Sequence, residues 1–432
     1  MKAGKRSLHG PGEMPYTRER IDHRADVHRR VGLIAAGEFT FYEFFAGGGM
    51  VRAGLGSRWR CLFANDFDFK KSATYTDNWG SAALVTWDVR KIEAKDVPGR
   101  ADLAWASFPC QDLSLAGMGA GLKGDRSGTF WPFWEIMKAL AAKKRGPRTI
   151  VLENVCGTLT SHDGKDFVAI ADALAEGGYR FGALVIDAVE FVPQSRPRLF
   201  IVAVAQGVPI PETLLSSDAS LLWRPKALQV AHLRLAGKAK EQWLWWKLPA
   251  PPRRANRLAD FIEDNPTSVS WHEPEQTAKL VRMMSALNRE KLAAAQASGQ
   301  MLVGAVYKRT RLDEADEKVQ RAEIRFDDVA GCLRTSSGGS SRQLIVVVKG
   351  DEVRSRLLSS REAARLMGLP NTYKLPKSYN EAYHLAGDGV VVPVVRHLAK
   401  RLLEPILSPP SFPRFSRGTA PAASAILRDF SS

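Results

Sequence analysis

Cysteine is scarce in this chain, with four residues in 432: Cys61, Cys110, Cys156 and Cys332. Four widely spaced thiols cannot build a disulfide framework, and they show none of the paired spacings that hold a metal, so no metal is expected. A reducing compartment fits and would keep each thiol free. Long apolar runs are missing too. Nothing approaches the roughly 20 residues of a membrane span, and the charged start of the chain lacks a following apolar core, so neither membrane insertion nor export is expected. Internal repeats are absent. Acidic residues are in deficit, 46 against 62 lysines and arginines, a net charge of +16. A surplus of that size favours a polyanionic partner.

The charge is unevenly spread. Residues 1–37 carry 8 basic against 4 acidic side chains, and residues 38–205 carry 20 against 19. Residues 206–330 carry 19 against 16, and residues 331–400 carry 11 against 5. The near-neutral stretch is also the most regular. Apolar runs at Thr40–Phe45, Cys61–Asn65, Ala101–Ser107, Thr149–Leu152, Ala183–Asp187 and Leu199–Ala205 alternate with helical patterns at Phe69–Asn78, Phe130–Lys143 and Lys165–Glu176. That alternation argues for an α/β fold with a parallel sheet covered by helices. After residue 206 the periodicity becomes irregular. The clustered Trp243, Trp245 and Trp246 read as core, and a helix is expected over Pro274–Ala295. The first 37 residues read as a basic arm, and 408–432, rich in Ser, Pro and Ala, as a disordered tail.

Chemistry enters at Pro109-Cys110-Gln111, where a buried strand ends and a lone thiol follows. A cysteine there is more often a small core residue than a nucleophile. Three further elements raise its standing: the glycine turn Ala46-Gly47-Gly48-Gly49, Glu153-Asn154-Val155, and Gln194-Ser195-Arg196-Pro197-Arg198. Read singly, each has a bland alternative: a tight turn, a salt-bridging acid, a surface arginine pair. Asn65-Asp66, Asp88-Val89, the run Arg361–Pro370 and Gly387-Asp388-Gly389-Val390-Val391 complete the order.

In this order the motifs resemble the DNA cytosine-5 methyltransferase family, over roughly residues 39–205 and 355–405. Two positions depart from the pattern: Met50 stands where the family has a glycine, and Asp388-Gly389 where it has Asn-Ala. The resemblance implies a Rossmann-like, S-adenosylmethionine-dependent methyltransferase sheet with a smaller, irregular target-recognition domain. The expected division is 38–205 catalytic, 206–375 target recognition, and 376–407 returning to the catalytic domain beside the first motif. The implied reaction is methyl transfer from S-adenosylmethionine to C5 of a flipped-out cytosine in double-stranded DNA. A monomer in the cytoplasm, at the nucleoid through DNA, is expected, and a cognate restriction endonuclease is a candidate companion.

Cys110 is then the expected nucleophile. C5 of cytosine is too weak a nucleophile alone, and thiolate addition at C6 activates it; sulfur both attacks and leaves well. Glu153 suits N3 and the exocyclic amine, where negative charge develops. Arg196 and Arg198, two apart on an extended segment, suit the base carbonyl and the bracing of Glu153 or a phosphate. Glycines let a ligand approach backbone N–H groups at Gly47 and Gly49. Asp66 suits ribose hydroxyls and Asp88 an adenine amine. The resemblance adds Phe45 and Trp87 as apolar walls, with Ala46, Pro109 and Val390 in the same pocket. The glycine-rich run after Cys110 reads as a closing loop whose Lys123 and Arg126 meet phosphates. Gln194, and the segment holding Arg334, Ser340 and Arg342, are expected on DNA. An RNA cytosine methyltransferase is the runner-up, disfavoured by the large insert. A silent DNA-binding regulator leaves Cys110 and Glu153 unexplained, and a nicotinamide-dependent oxidoreductase explains only the glycine turn.

Overall fold

Strands buried on both faces must be apolar at nearly every position, and the short runs of this chain meet that demand. The computed structural model describes residues 39–109, 129–216, 222–312, 316–334 and 342–408. Seven strands form the main sheet: β1 (Phe39–Phe44), β2 (Trp59–Asn65), β3 (Leu84–Val85), β4 (Leu103–Ala106), β5 (Thr149–Val155), β6 (Tyr179–Asp187) and β7 (Pro197–Ala205). Their order is β3-β2-β1-β4-β5-β7-β6. Pairing is parallel from β3 to β5, while β7 runs antiparallel to both its neighbours.

Side chains alternate between two cores, as period-2 geometry requires. Phe41, Leu103, Trp105, Val151 and Phe200 lie on one face. Tyr42, Phe44, Ala104, Ile150 and Leu199 lie on the other, with the helices Phe130–Ala142 and Lys165–Glu176. The first face is covered by helix Met50–Leu55 and by the returning segment, helix Val392–Leu398, which continues through a wide π turn into Glu404–Leu407. The two helices touch at Gly54, where a Cβ would lie 2.4 Å from Val395 Cβ. Glu404 anchors the end of that segment by pairing with Arg58 and accepting from Trp59 Nε1 at 3.1 Å.

A second, antiparallel sheet has the order β11-β10-β8-β9. Its strands are β8 (Met301–Leu312), β9 (Lys318–Arg325), β10 (Leu344–Lys349) and β11 (Glu352–Leu357). The single helix expected over Pro274–Ala295 is two, Pro274–Arg282 and Ala286–Ala297. The break has a cause: Met284 bridges to Ala322, and Met283 O accepts the Ala322 N–H, so the chain leaves the helix to pair with β9. Trp243 and Trp246 are buried as expected, while Trp245 is half-buried. At the junction of the two sheets, Arg356 and Glu362 form an ion pair with both side chains 0 % exposed. Glu362 also accepts the Ser359 N–H at the start of helix Ser360–Leu366.

Candidate active site

The strand order reverses between β1 and β4, so the loops leaving their C-terminal ends diverge and open a crevice. Those ends carry Phe45–Gly49, Asp66, Trp87-Asp88, Pro109 and Glu153. The first loop is held in a shape few residues adopt: φ is 59° at Phe45, 54° at Gly47 and 79° at Gly49. From behind it is clamped. Gly48 O accepts from Tyr373 Oη at 2.7 Å and from Trp79 Nε1 at 3.0 Å. A Cβ on Gly48 would sit 2.3 Å from that hydroxyl. Gly47 differs, since a Cβ there would meet nothing within 4 Å. The loop is therefore packed on one side and open at Gly47, as a ligand cradle must be.

Asp66 is 6 % exposed and organises the cradle, accepting from Gly47 N at 2.7 Å and Asp68 N at 2.9 Å. Burial raises its pKa against these bonds. Each oxygen retains a lone pair for a ligand hydroxyl. Asp88 caps the turn Val89–Lys91 and binds the Arg90 guanidinium, which lowers its pKa. Asn65 joins the two strand ends through Val85 O and Trp87 O. Phe67 and Trp87 stand out exposed, at 65 % and 44 %. Ala46 and Val390 are buried, and Phe45 is half-buried.

Glu43 lies beneath this loop, missed in the sequence although an acid inside the apolar run Phe39–Phe44 is itself a signal. It is fully buried, and neither carboxylate oxygen has a hydrogen-bond partner. Burial drives its pKa up to about 8, tempered by the nearby Arg52. Its other titratable neighbours are Cys61, pushed by burial to about 12, Tyr75 and Tyr373, both raised by burial, and Asp66.

The candidate catalytic rim is built across β4, β5 and β7. Asn154 Nδ2 donates to Phe108 O at 3.1 Å, fixing the strand end that leads to the exposed Pro109. Because β7 is antiparallel to β5, Arg198 pairs in register with Val155. Its Nε then lies 3.4 Å from Glu153 Oε1, with the two side chains 16 % and 8 % exposed. Cys332, also missed in the sequence, places its Sγ 3.3 Å from Arg196 Nη1 and 3.9 Å from Arg198 Nη2. Burial pushes this thiol up, but the guanidiniums of Arg196, Arg198 and Arg334 outweigh it and the net pKa is lowered.

Two residues expected at the ligand are placed elsewhere. Arg196 is 2 % exposed, and burial lowers its pKa to about 10. Its guanidinium donates to Leu333 O at 2.9 Å, Gly387 O at 2.7 Å and Gly389 O at 2.8 Å. Its guanidinium thus braces distant segments of the chain. Gln194 is 0 % exposed, donating to Leu366 O and accepting from Leu333 N. Both ends of its amide are thus occupied inside the protein. Arg334 is exposed, and Arg342 binds Asn380 and lies 5.5 Å from the Tyr379 ring centroid. Cys110, Lys123, Arg126 and Ser340 lie outside the described residues.

The two departures from the family pattern meet in space. Met50 Sδ would lie 2.2 Å from a Cβ at Gly389, so the larger residue at 50 fills the room left by the smaller one at 389.

Known proteins place this geometry. Type II methyltransferase M.BsuFI of Bacillus subtilis is 27 % identical over 372 residues, covering 86 % of this chain and 74 % of its own. Type II methyltransferase M.NlaX of Neisseria lactamica is 27 % identical over 369 residues, covering 84 % of this chain and 96 % of its own. The crystal structure of S. pombe Dnmt2 methyltransferase shares the fold, with TM-score 0.52 and 17 % identity over 86 % of this chain and 100 % of that one. The family model for C-5 cytosine-specific DNA methylase matches residues 39–404. The chain belongs to this family, and is a DNA (cytosine-5-)methyltransferase of the S-adenosylmethionine-dependent class.

Proposed function

We propose that the enzyme methylates a cytosine swung out of duplex DNA, with Cys110 as nucleophile and Glu153 and Arg198 managing charge on the ring. The observation that carries this reading is the 3.4 Å Arg198–Glu153 contact on the rim where Phe108-Pro109 leads into Cys110. A carboxyl held there by a guanidinium can hydrogen-bond N3 as negative charge builds. The base must leave the duplex, because C6 is attacked from its face. Cys110 Sγ would add to C6, C5 would take the methyl group as its bond to the sulfonium breaks and S-adenosylhomocysteine departs, and loss of the C5 proton would then expel the thiolate.

S-adenosylmethionine supplies an electrophilic methyl group borne on a sulfonium. The open cradle at Gly47 and the Asp66 carboxylate bound to its N–H fit a ligand that carries hydroxyl groups. Phe45, Ala46, Gly47, Gly49, Asp66, Asp88, Pro109 and Val390 are the proposed cofactor residues. Phe67 is added to Trp87 as an apolar wall. Arg196 and Gln194 act as positioning residues, holding the small sheet and the returning segment against the rim. Lys123, Arg126, Arg334, Ser340 and Arg342 remain the proposed DNA contacts. A monomer acting in the cytoplasm, accompanied by a restriction endonuclease, is the setting we favour. Among the described residues no helix is long and apolar enough to cross a membrane.

The test is transfer of labelled methyl from S-adenosylmethionine to duplex DNA, bulk tRNA and a blank without nucleic acid. Transfer to duplex alone is expected, with 5-fluorocytosine at the mapped site trapping a covalent complex. Transfer to tRNA alone would overturn the DNA reading; transfer without trapping would overturn the thiolate mechanism.

A further inference from the structure

The outer half of the β8–β9 hairpin differs from the rest of its sheet. Strand β10 pairs with β8 only as far as Val306, opposite Leu344. Beyond it, 307–312 pair with 318–323 alone. A two-stranded ribbon therefore runs out past the sheet, ~17 Å over five residue steps. Its root is at the catalytic rim. A Cβ at Gly331 would lie 1.1 Å from Tyr307 Oη, and the next residue, Cys332, touches Arg196 and Arg198.

One face of the ribbon is electrostatically unbalanced. Register sets Arg309 directly opposite Arg321, an arrangement that destabilises a strand pair by repulsion. Arg311 follows on the same face. A carboxylate on this face, Glu323, is shared between Arg309 Nε at 3.3 Å and Arg311 Nη2 at 2.5 Å. Arg321 has no acidic partner among the described residues. Beside it lies a groove of about 500 Å³, lined by Arg289, Arg311, Arg321 and Asn288 at the start of helix Ala286–Ala297. Like charges held together on an exposed ribbon gain from an anion. Side chains on one face recur every ~6.7 Å along the strand. A row of that pitch suits a run of phosphates better than a single small anion.

We infer that this ribbon is a clamp on the DNA backbone, in which Arg309, Arg311 and Arg321 grip phosphates beside the target and hold the duplex against the small sheet. The inference rests on the duplex reading above and names the element that does the holding. Such contacts fix register without reading sequence.

The experiment uses the full chain carrying Arg309→Gln and Arg321→Gln, with Arg309→Lys and Arg321→Lys as the charge-preserving pair. Wild-type methylation of duplex DNA is established first; its absence would bring down the duplex reading, and this clamp with it. Binding of a target duplex and a random duplex is then titrated from 50 to 200 mM salt, with calorimetry of S-adenosylhomocysteine reporting on the fold. Removing one arginine from a phosphate lowers the salt slope by ~0.9. The Gln pair should lower it by ~1.8 on both duplexes, so that its deficit against wild type shrinks about tenfold across that range. The Lys pair should retain the slope, and the cofactor analogue should bind all three alike. An unchanged slope in the Gln pair overturns the clamp. So does methylation spreading to new sites at an unchanged slope, the signature of a base reader.

Discussion

The catalytic rim and the β8–β9 ribbon use arginine in opposite ways. On the rim, Arg196 is buried and three backbone carbonyls fix its guanidinium. On the ribbon, the exposed Arg309 lies opposite the half-buried Arg321, and Glu323 is shared by Arg309 and Arg311. A buried guanidinium costs desolvation and returns geometry; it holds parts at fixed distances whatever the salt. An exposed, under-compensated one returns long-range attraction that salt screens. The enzyme separates the two tasks in space.

The comparison is broken most severely at the rim. Cys110→Ser should leave no measurable turnover, because a hydroxyl is a far weaker nucleophile at neutral pH. Binding of S-adenosylhomocysteine should persist, since the cradle does not depend on the thiol. Substantial methyl transfer by the purified variant would remove Cys110 from the mechanism, whereas ribbon variants should only weaken DNA binding.

Next in size is the junction pair. Arg356→Met leaves Glu362 charged, buried and short of its partner, which should cost about 3–5 kcal/mol in urea unfolding. Arg309→Met on the ribbon should cost almost nothing in the same assay, since exposed pairs contribute ~0–1 kcal/mol. Equal losses at the two sites would erase the distinction between struts and clamp.

This distinction sets the limit of what the sequence makes legible. Apolar runs and motif order locate the main sheet and Glu153, because strands and strand-end loops are local features. Burial is not local. Arg196 and Gln194 read as ligand contacts until Leu333, Leu366 and Gly389, 139 to 193 residues away, close over them. The ribbon is hidden for the same reason. It lies in the stretch where periodicity turns irregular, and only the register with β9 opposes Arg309 to Arg321. The helix broken at Met283-Met284 follows suit, because its periodicity carries no sign of the strand that interrupts it.

Glu43 sharpens the contrast within the main sheet, as a buried acid without a salt-bridge partner. Its pKa rises from 4.5 to about 8, with burial the main cause. Between those values the folded protein keeps a proton that the unfolded chain has released, so stability falls as pH rises through this window. Glu43→Gln has no proton to lose. The variant should match wild-type apoprotein near pH 4 and exceed it by on the order of 2–4 kcal/mol near pH 8. Denaturant midpoints compared across pH provide the check, and a pH-independent difference would mean that Glu43 keeps its charge in the fold.

The smallest effect tests packing alone, at the contact between the two departures from the family pattern. Gly389 has φ −77° and ψ 169°, which any residue adopts, so Gly389→Ala carries no backbone penalty. The new Cβ would nonetheless lie 2.2 Å from Met50 Sδ and 2.8 Å from its Cε. Overpacking of this kind costs about 1–3 kcal/mol. The strain falls where the returning segment meets the cradle, and Gly389 O is itself held by Arg196, so cofactor affinity should drop with stability. Met50→Ala alone opens a cavity and should also destabilise. Combined, the two substitutions exchange the sizes at this contact, and each relieves the other's defect. A double-mutant cycle should therefore give a favourable coupling of roughly 0.5–3 kcal/mol, read in unfolding and in S-adenosylhomocysteine binding. Simple additivity would show that Met50 rotates away at no cost, and that the pairing of the two departures has no energetic meaning.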